Sequence, residues 1–108
     1  MTAAVAASGF HASGFLFAGF APRKAGALRQ LLARVADCPV PVVLFESPYR
    51  LLKLLEAIES DLGDRRLFLG RELTKKFEEG LRGTAADLRA AFSARSVKGE
   101  IVLVIAPR

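Results

Sequence analysis

The chain is predicted to be an α/β protein with a mixed, mostly parallel sheet of about five strands covered by helices. Two observations predict this. Short apolar runs at residues 15–20, 42–45, 67–69 and 101–105 alternate with longer segments whose apolar residues recur at helical spacing. Two of the runs, 42–45 and 101–105, are apolar at every position, the pattern of strands buried on both faces rather than on one. At 108 residues the chain is expected to form a single domain, 1–108, large enough to bury a core without metal or disulfide.

Each element follows from its residues. Positions 2–8 are Ala-rich, and Gly9 stands where a left-handed C-cap would go, so 1–9 reads as the end of a helix whose beginning is missing. The aromatic-rich run 15–20 is a strand, broken by Pro22-Arg23-Lys24. Leu28, Leu31, Leu32, Val35 and Ala36 then fall at i, i+3, i+4, i+7 and i+8, one helical face, with Arg29, Gln30 and Arg34 directed away. Pro39 and Pro41 end that helix. After the strand 42–45, Ser47 followed by Pro48 is a helix-start signal, a hydroxyl at the N-cap and a fixed φ at the first helical position. Leu51, Leu52, Leu55, Ile58 and Leu62 continue on helical spacing to Gly63. Residues 67–69 form the next strand, and 77–82 a further short one that Gly80 weakens, the two making a hairpin. Thr84 and Asp87 have capping-box spacing and open a helix through Leu88 and Phe92. Lys98-Gly99 turns the chain into the last strand. The other connections are expected to be right-handed crossovers.

Composition excludes several classes. With 52% hydrophobic and 25% charged residues, the chain is a folded protein and not a disordered one. One Cys and one His are too few for a zinc site or an intrachain disulfide, so no metal is expected. The first 22 residues lack Lys, Arg, Asp and Glu. Even so, they have no basic leader, and Gly9, Gly14 and Gly19 interrupt them well short of the roughly 18 to 20 apolar residues of a membrane span. A cytoplasmic protein is expected. The net charge of +5 fits either a solvated basic surface or a polyanion partner, and charge does not decide between them.

Ligands of α/β sheets bind outside the carboxyl ends of the strands. Two charged loops fall there: Glu46-Ser47 after the strand 42–45, and Arg71-Glu72-Leu73-Thr74-Lys75 after the strand 67–69. If the strands run parallel, both loops reach one edge. Ser47-Pro48 is either a plain helix start or one side of an anion site. Glu46 is either a strand-end salt bridge, with Arg50 or Arg71 as partner, or a functional carboxylate. Arg71, Lys75, Lys76 and Arg82 among Glu72, Glu78 and Glu79 form either an exposed ion-pair network or a phosphate-binding cluster braced by carboxylates. Residues alone thus support a basic α/β domain with a candidate anion site.

Six collinear runs add more: Gly19-Phe20-Ala21-Pro22-Arg23-Lys24, Phe45-Glu46-Ser47-Pro48-Tyr49-Arg50-Leu51-Leu52, Gly63-Asp64-Arg65-Arg66, residues 71–79, Arg82-Gly83-Thr84, and Gly99-Glu100-Ile101-Val102-Leu103-Val104. In order and spacing they resemble the ribosomal RNA small subunit methyltransferase I family of the tetrapyrrole-methylase superfamily, specifically its C-terminal domain. The resemblance implies 2′-O-ribose methylation of a cytidine in 16S rRNA, with S-adenosylmethionine as methyl donor held between two α/β domains, and a homodimer. It implies that 1–9 belongs to the interdomain helix, and that the fragment is inactive without the N-terminal domain. By position it assigns Phe45, Glu46, Ser47, Leu73, Thr74 and Ala106 to the donor. It assigns Arg23, Lys24, Arg71, Lys75 and Arg82 to RNA, and leaves Glu46, Glu72 and Lys75 open as candidates for the general base. Tyr49 stands where relatives often carry His, and Gly80 where a larger residue is usual. The alternative reading is a non-catalytic basic module for RNA binding or dimerisation.

Overall fold

The computed structural model describes residues 8, 10, 14–72, 77–93 and 99–108, with the backbone alone for Glu72 and for 77–79. Its elements in chain order are β1 (Leu16–Phe20), α1 (Ala25–Ala36), β2 (Val42–Glu46), α2 (Leu51–Leu62), β3 (Leu67–Glu72), β4 (Phe77–Gly83), α3 (Ala85–Ser93) and β5 (Glu100–Ile105). The expected α/β class is observed. The five strands lie in the order β1-β2-β5-β3-β4. β1 pairs with β2 in parallel, whereas β5 is antiparallel to both β2 and β3, and β4 is antiparallel to β3. Three strands therefore share one direction, but only one hydrogen-bonded pair is parallel. The reason is that β5, the last strand, slots between β2 and β3 in the reverse sense. The expected hairpin is the β3–β4 pair, joined through residues outside those described.

The sheet has two unlike faces. Val42, Leu44, Leu67, Leu69, Ile101, Leu103 and Ile105 share one core with Leu31, Leu32 and Val35 of α1, Leu51, Leu54, Leu55 and Ile58 of α2, and Leu88 and Phe92 of α3. All three helices thus gather on this side. On the other face Val43, Phe68, Val102 and Val104 pack with Phe10, Phe15 and Phe45. Together the two layers bury β2 and β5 from both sides, as their unbroken apolar runs required.

Local rules explain most boundaries. Gly63 closes α2 with φ +64° and returns its N–H to the Glu59 carbonyl at 3.0 Å. At α3 the Thr84 N–H donates to Asp87 Oδ2 at 3.0 Å and the Asp87 N–H to Thr84 Oγ1 at 3.2 Å, the reciprocal pair expected from the sequence. These hydrogen bonds from Thr84, backbone first, hold the Asp87 carboxyl below its ordinary range. Two readings of α2 need correction. Ser47 is not its N-cap: the Arg50 N–H bonds to the Ser47 carbonyl at 3.1 Å in a single turn, and the α-helix starts only at Leu51. Nor is Leu52 a core residue. It is 37% exposed while Leu54 is buried, because the buried stripe runs through 51, 54, 55 and 58.

Arg65 ties the far edge of the sheet together. Its Nη2 donates to the Ala36 carbonyl at 2.9 Å, and its Nη1 to the Ala106 carbonyl at 3.2 Å and to that of Val35 at 3.5 Å. One guanidinium thereby satisfies the end of α1 and the segment after β5. Gly80 is explained as well. The ring of Phe68 comes within 3.0 Å of where a Cβ would stand, so the cross-strand ring supplies the packing that glycine lacks.

Candidate functional site at the strand ends

The site is built on the carboxyl ends of β1, β2 and β3. Because β2 and β3 are both antiparallel to β5, they run the same way, and Glu46 and Arg71 both pair with Ile101. The two residues therefore lie in one transverse row, about 10 Å apart at two strand spacings. Residues of one such row project to the same face, and Ile101 belongs to the helix-side core. β1 reaches the same edge: its parallel ladder with β2 is prolonged by the Ala21 N–H to the Phe45 carbonyl at 3.2 Å. Pro22, Arg23 and Lys24 follow there.

Glu46 is the centre of this edge. Its side chain is only 5% exposed, its Oε1 accepts the Ser47 N–H at 2.8 Å, and Arg50 Nε stands 3.9 Å from the same oxygen. Arg50 Nη2 in turn donates to the Arg23 carbonyl at 3.4 Å, so one side chain spans the loops that follow β1 and β2. Of the two partners anticipated for Glu46, Arg50 is the one at hand. Glu46, Arg50, Arg23 and Lys53 line a cleft of about 470 Å³, with Pro22, Ala25, Leu28, Leu54 and Ala57 as its apolar side. α1 and α2 both begin at this cleft. Their N-caps are Lys24 and Arg50, neither has a side-chain cap, and neither first turn carries an acid. Unsatisfied N–H groups and positive helix ends thus add to Arg23, Arg50 and Lys53, offset by Glu46 and Glu56. Among the described residues no three His, Cys, Asp or Glu converge as metal ligands, and no helix is long and apolar enough to cross a membrane.

The anticipated site residues divide into groups. Arg23, Lys24, Glu46, Ser47, Arg71 and the backbone of Glu72 come to one edge. Phe45 adjoins it, but its ring sits on the opposite face against Phe17 and Phe20. Leu73, Thr74 and Lys75 lie outside the described residues. Ala106 is not brought to this cleft. It follows Ile105, which pairs with Val42 and Leu67, so it is at the other edge, about 17 Å away along β2 at five residues of strand rise. There its N–H serves the Arg66 carbonyl and its carbonyl serves Arg65. Arg82 is also apart, opposite Phe68 with its guanidinium 5.7 Å above the ring on the face away from the helices. Among the described cations assigned to RNA, Arg82 therefore stands apart from Arg23, Lys24 and Arg71. Sequence reasoning did not include Arg50 and Lys53 in the site. The Glu46–Arg50 spacing of four was a usable signal, whereas Lys53 enters only because α2 is turned toward α1.

Comparison with known proteins places these features in a family context. No protein-family profile matches the chain. Curated proteins named ribosomal RNA small subunit methyltransferase I do match. One from Erythrobacter litoralis is 44% identical over 100 residues, covering 93% of this chain and 36% of its own length. One from Thermotoga maritima is 41% identical over 105 residues, covering 97% and 47%. One from Mycobacterium tuberculosis is 45% identical over 107 residues, covering 98% and 37%. The chain thus spans between about a third and a half of the curated relatives it matches, and the family resemblance seen in its motifs extends over nearly all its residues.

Proposed function

We propose, from this homology to part of the ribosomal RNA small subunit methyltransferase I proteins, that the chain is the C-terminal half of an S-adenosylmethionine-dependent enzyme of the tetrapyrrole-methylase superfamily that methylates a cytidine 2′-oxygen in 16S rRNA. The observation that carries the reading is the match itself, 40–45% identity across nearly the whole chain. The strand-end cleft supports it. An acceptor carboxylate and uncapped helix N–H groups beside an apolar wall fit a ligand that carries a carboxylate and a ribose diol. Glu46 and Ser47 would hold such a donor, with Leu73 and Thr74 completing the contact. Ala106, at the other edge, joins only if the donor reaches round the sheet.

When bound, the donor supplies a methyl group activated by a sulfonium sulfur. The chain's own contribution is placement and proton transfer. Orienting the ribose hydroxyl in line with the methyl can contribute about 7 to 11 kcal/mol. Arg23, Lys24 and Arg71 neutralise backbone phosphates on one side of the cleft, with Lys75 and Arg82 as further RNA contacts. Glu46 is the best-supported acceptor of the 2′-hydroxyl proton, because its carboxylate lines the cleft; Glu72 and Lys75 are the other candidates. The chain acts in the cytoplasm, in a homodimer, and only with an N-terminal domain that forms the other wall of the donor site.

The test is methyl transfer from labelled S-adenosylmethionine to 16S rRNA, with the modified position mapped by resistance to alkaline cleavage. The chain alone should transfer nothing, and adding the unmatched part of a relative should restore transfer to a ribose. Tight donor binding by the isolated chain would refute the shared site, and methylation on a base would refute the ribose reading. The +5 charge favours one second reading, a non-catalytic RNA-binding or dimerisation module. Salt-sensitive retention of rRNA fragments, with no methylation even in the reconstituted mixture, would put that reading ahead.

A further inference from the structure

On the face without helices, β1 displays its aromatic residues outward. Its register slips between Phe17 and Gly19, and Gly19 has φ +77°. In an unbroken strand, residues three apart point to opposite faces. The extra residue in β1 cancels that alternation. Phe17 therefore pairs with Val43 and Phe20 with Phe45, both on the same face. The two rings meet Phe45 edge to face at centroid distances of 5.1 and 5.6 Å. Despite these contacts, Phe17 remains 45% exposed, Phe20 65% and the neighbouring Leu16 49%. Two large aromatic side chains bared on one face of a five-residue edge strand, with Leu16 bared on the other beside Val42, are a surface that a folded protein ordinarily covers.

We propose that this aromatic face of β1 is the docking surface for the part of the longer methyltransferases that this chain does not match; the inference rests on the shared-cleft reading above. Three features select that occupant. The chain spans only 36–47% of its relatives, so more than half of each relative must pack elsewhere. Phe20 leads directly through Ala21 and Pro22 into Arg23 at the cleft, so a polypeptide seated on the rings reaches the strand-end edge at which the cleft, on the opposite face, begins. The patch LFAGF carries no charge, whereas nucleic-acid surfaces draw most of their affinity from cations. A second copy pairing along β1 is opposed by the bulge, a device that blunts edge pairing.

The experiment mixes the chain with the separately produced, unmatched portion of the Erythrobacter litoralis protein and measures association by calorimetry. Phe17→Ser and Phe20→Glu should each weaken it about 30-fold or more, the size of an interface hot spot. Arg34→Ser, at an exposed residue in the last turn of α1 on the helix side, should leave it unchanged. Far-UV circular dichroism verifies that the variants fold. Amide exchange across residues 16–20 in the unaltered chain provides a reading that needs no variant, and it should slow on mixing. No association, or association indifferent to Phe17 and Phe20, overturns the proposal. Self-association of the chain alone that Phe20→Glu abolishes also overturns it, in favour of a second copy. Loss of rRNA retention in Phe20→Ser without loss of protein association does the same in favour of RNA. Phenylalanine-dependent association without methyl transfer upholds docking and rejects the enzymatic reading.

Discussion

Glu46 should separate stability from activity when its carboxylate is replaced stepwise. Glu46→Gln keeps an oxygen for the Ser47 N–H, the 2.8 Å bond, and removes only the charge facing Arg50. That pair is 3.9 Å long and its arginine is one-third exposed, so its loss should cost at most about 1 kcal/mol. Glu46→Leu also leaves the Ser47 N–H without its acceptor and the Arg50 Nε beside an apolar group. Losing a charge-assisted bond and stranding its donor should cost about 2 to 3 kcal/mol. For 108 residues, an unfolding entropy near 2.1 cal/mol/K per residue makes 1 kcal/mol worth about 4 °C in Tm. The Gln variant should therefore melt within about 4 °C of the parent and the Leu variant about 9 to 13 °C lower. In the reconstituted enzyme, by contrast, Gln should already lower methyl transfer by about 10²-fold or more, the usual contribution of a general base. Thermal unfolding by circular dichroism and single-turnover methylation read the two effects. Full activity in a stable Glu46→Gln variant would remove Glu46 as the base and leave Glu72 and Lys75. Equal melting of the Gln and Leu variants would show that the Ser47 bond adds nothing.

The other predictions concern the edges away from the cleft. Arg65→Met retains the aliphatic stem but releases the carbonyls of Ala36 and Ala106, and it should cost about 2 to 3 kcal/mol in urea unfolding; Arg65→Lys should not recover this, because an ammonium cannot reproduce the two-nitrogen fork. Thr84→Ala should cost about 1 kcal/mol through loss of the α3 cap. Because the Asp87 carboxyl is held below its ordinary range, its stabilising effect is complete above the range of an unfolded aspartate and is lost as pH falls through the lower folded value. The stability difference between the parent and Asp87→Asn should accordingly be constant near neutrality and shrink in acid, and a difference that grows on acidification would reverse the sign.

The sequence by itself determined the elements and their order. Apolar runs and helical periods act over neighbouring residues, so the five strands, the helices read at 27–37 and from Thr84 through Phe92 (observed at 25–36 and 85–93), the Thr84–Asp87 cap and the hairpin could all be read without coordinates. The continuous apolar runs at 42–45 and 101–105 likewise indicated strands enclosed on both faces, because no polar position is left to meet water. The family resemblance was equally legible, since it resides in the residues themselves.

Tertiary structure alone decided which ends meet. Strand pairing links residues dozens of positions apart, and nothing local states that β5 enters antiparallel between β2 and β3. That choice brings Glu46 and Arg71 to one edge and sends Ala106 to the other. The bulge in β1 had the same character. A one-residue slip changes the face of every side chain beyond it, so the outward aromatic surface appears only once the register with β2 is known. Short-range spacing could place each residue on its element, but the distribution of residues between cleft, core and surface was settled by hydrogen-bonded partners that are remote in sequence.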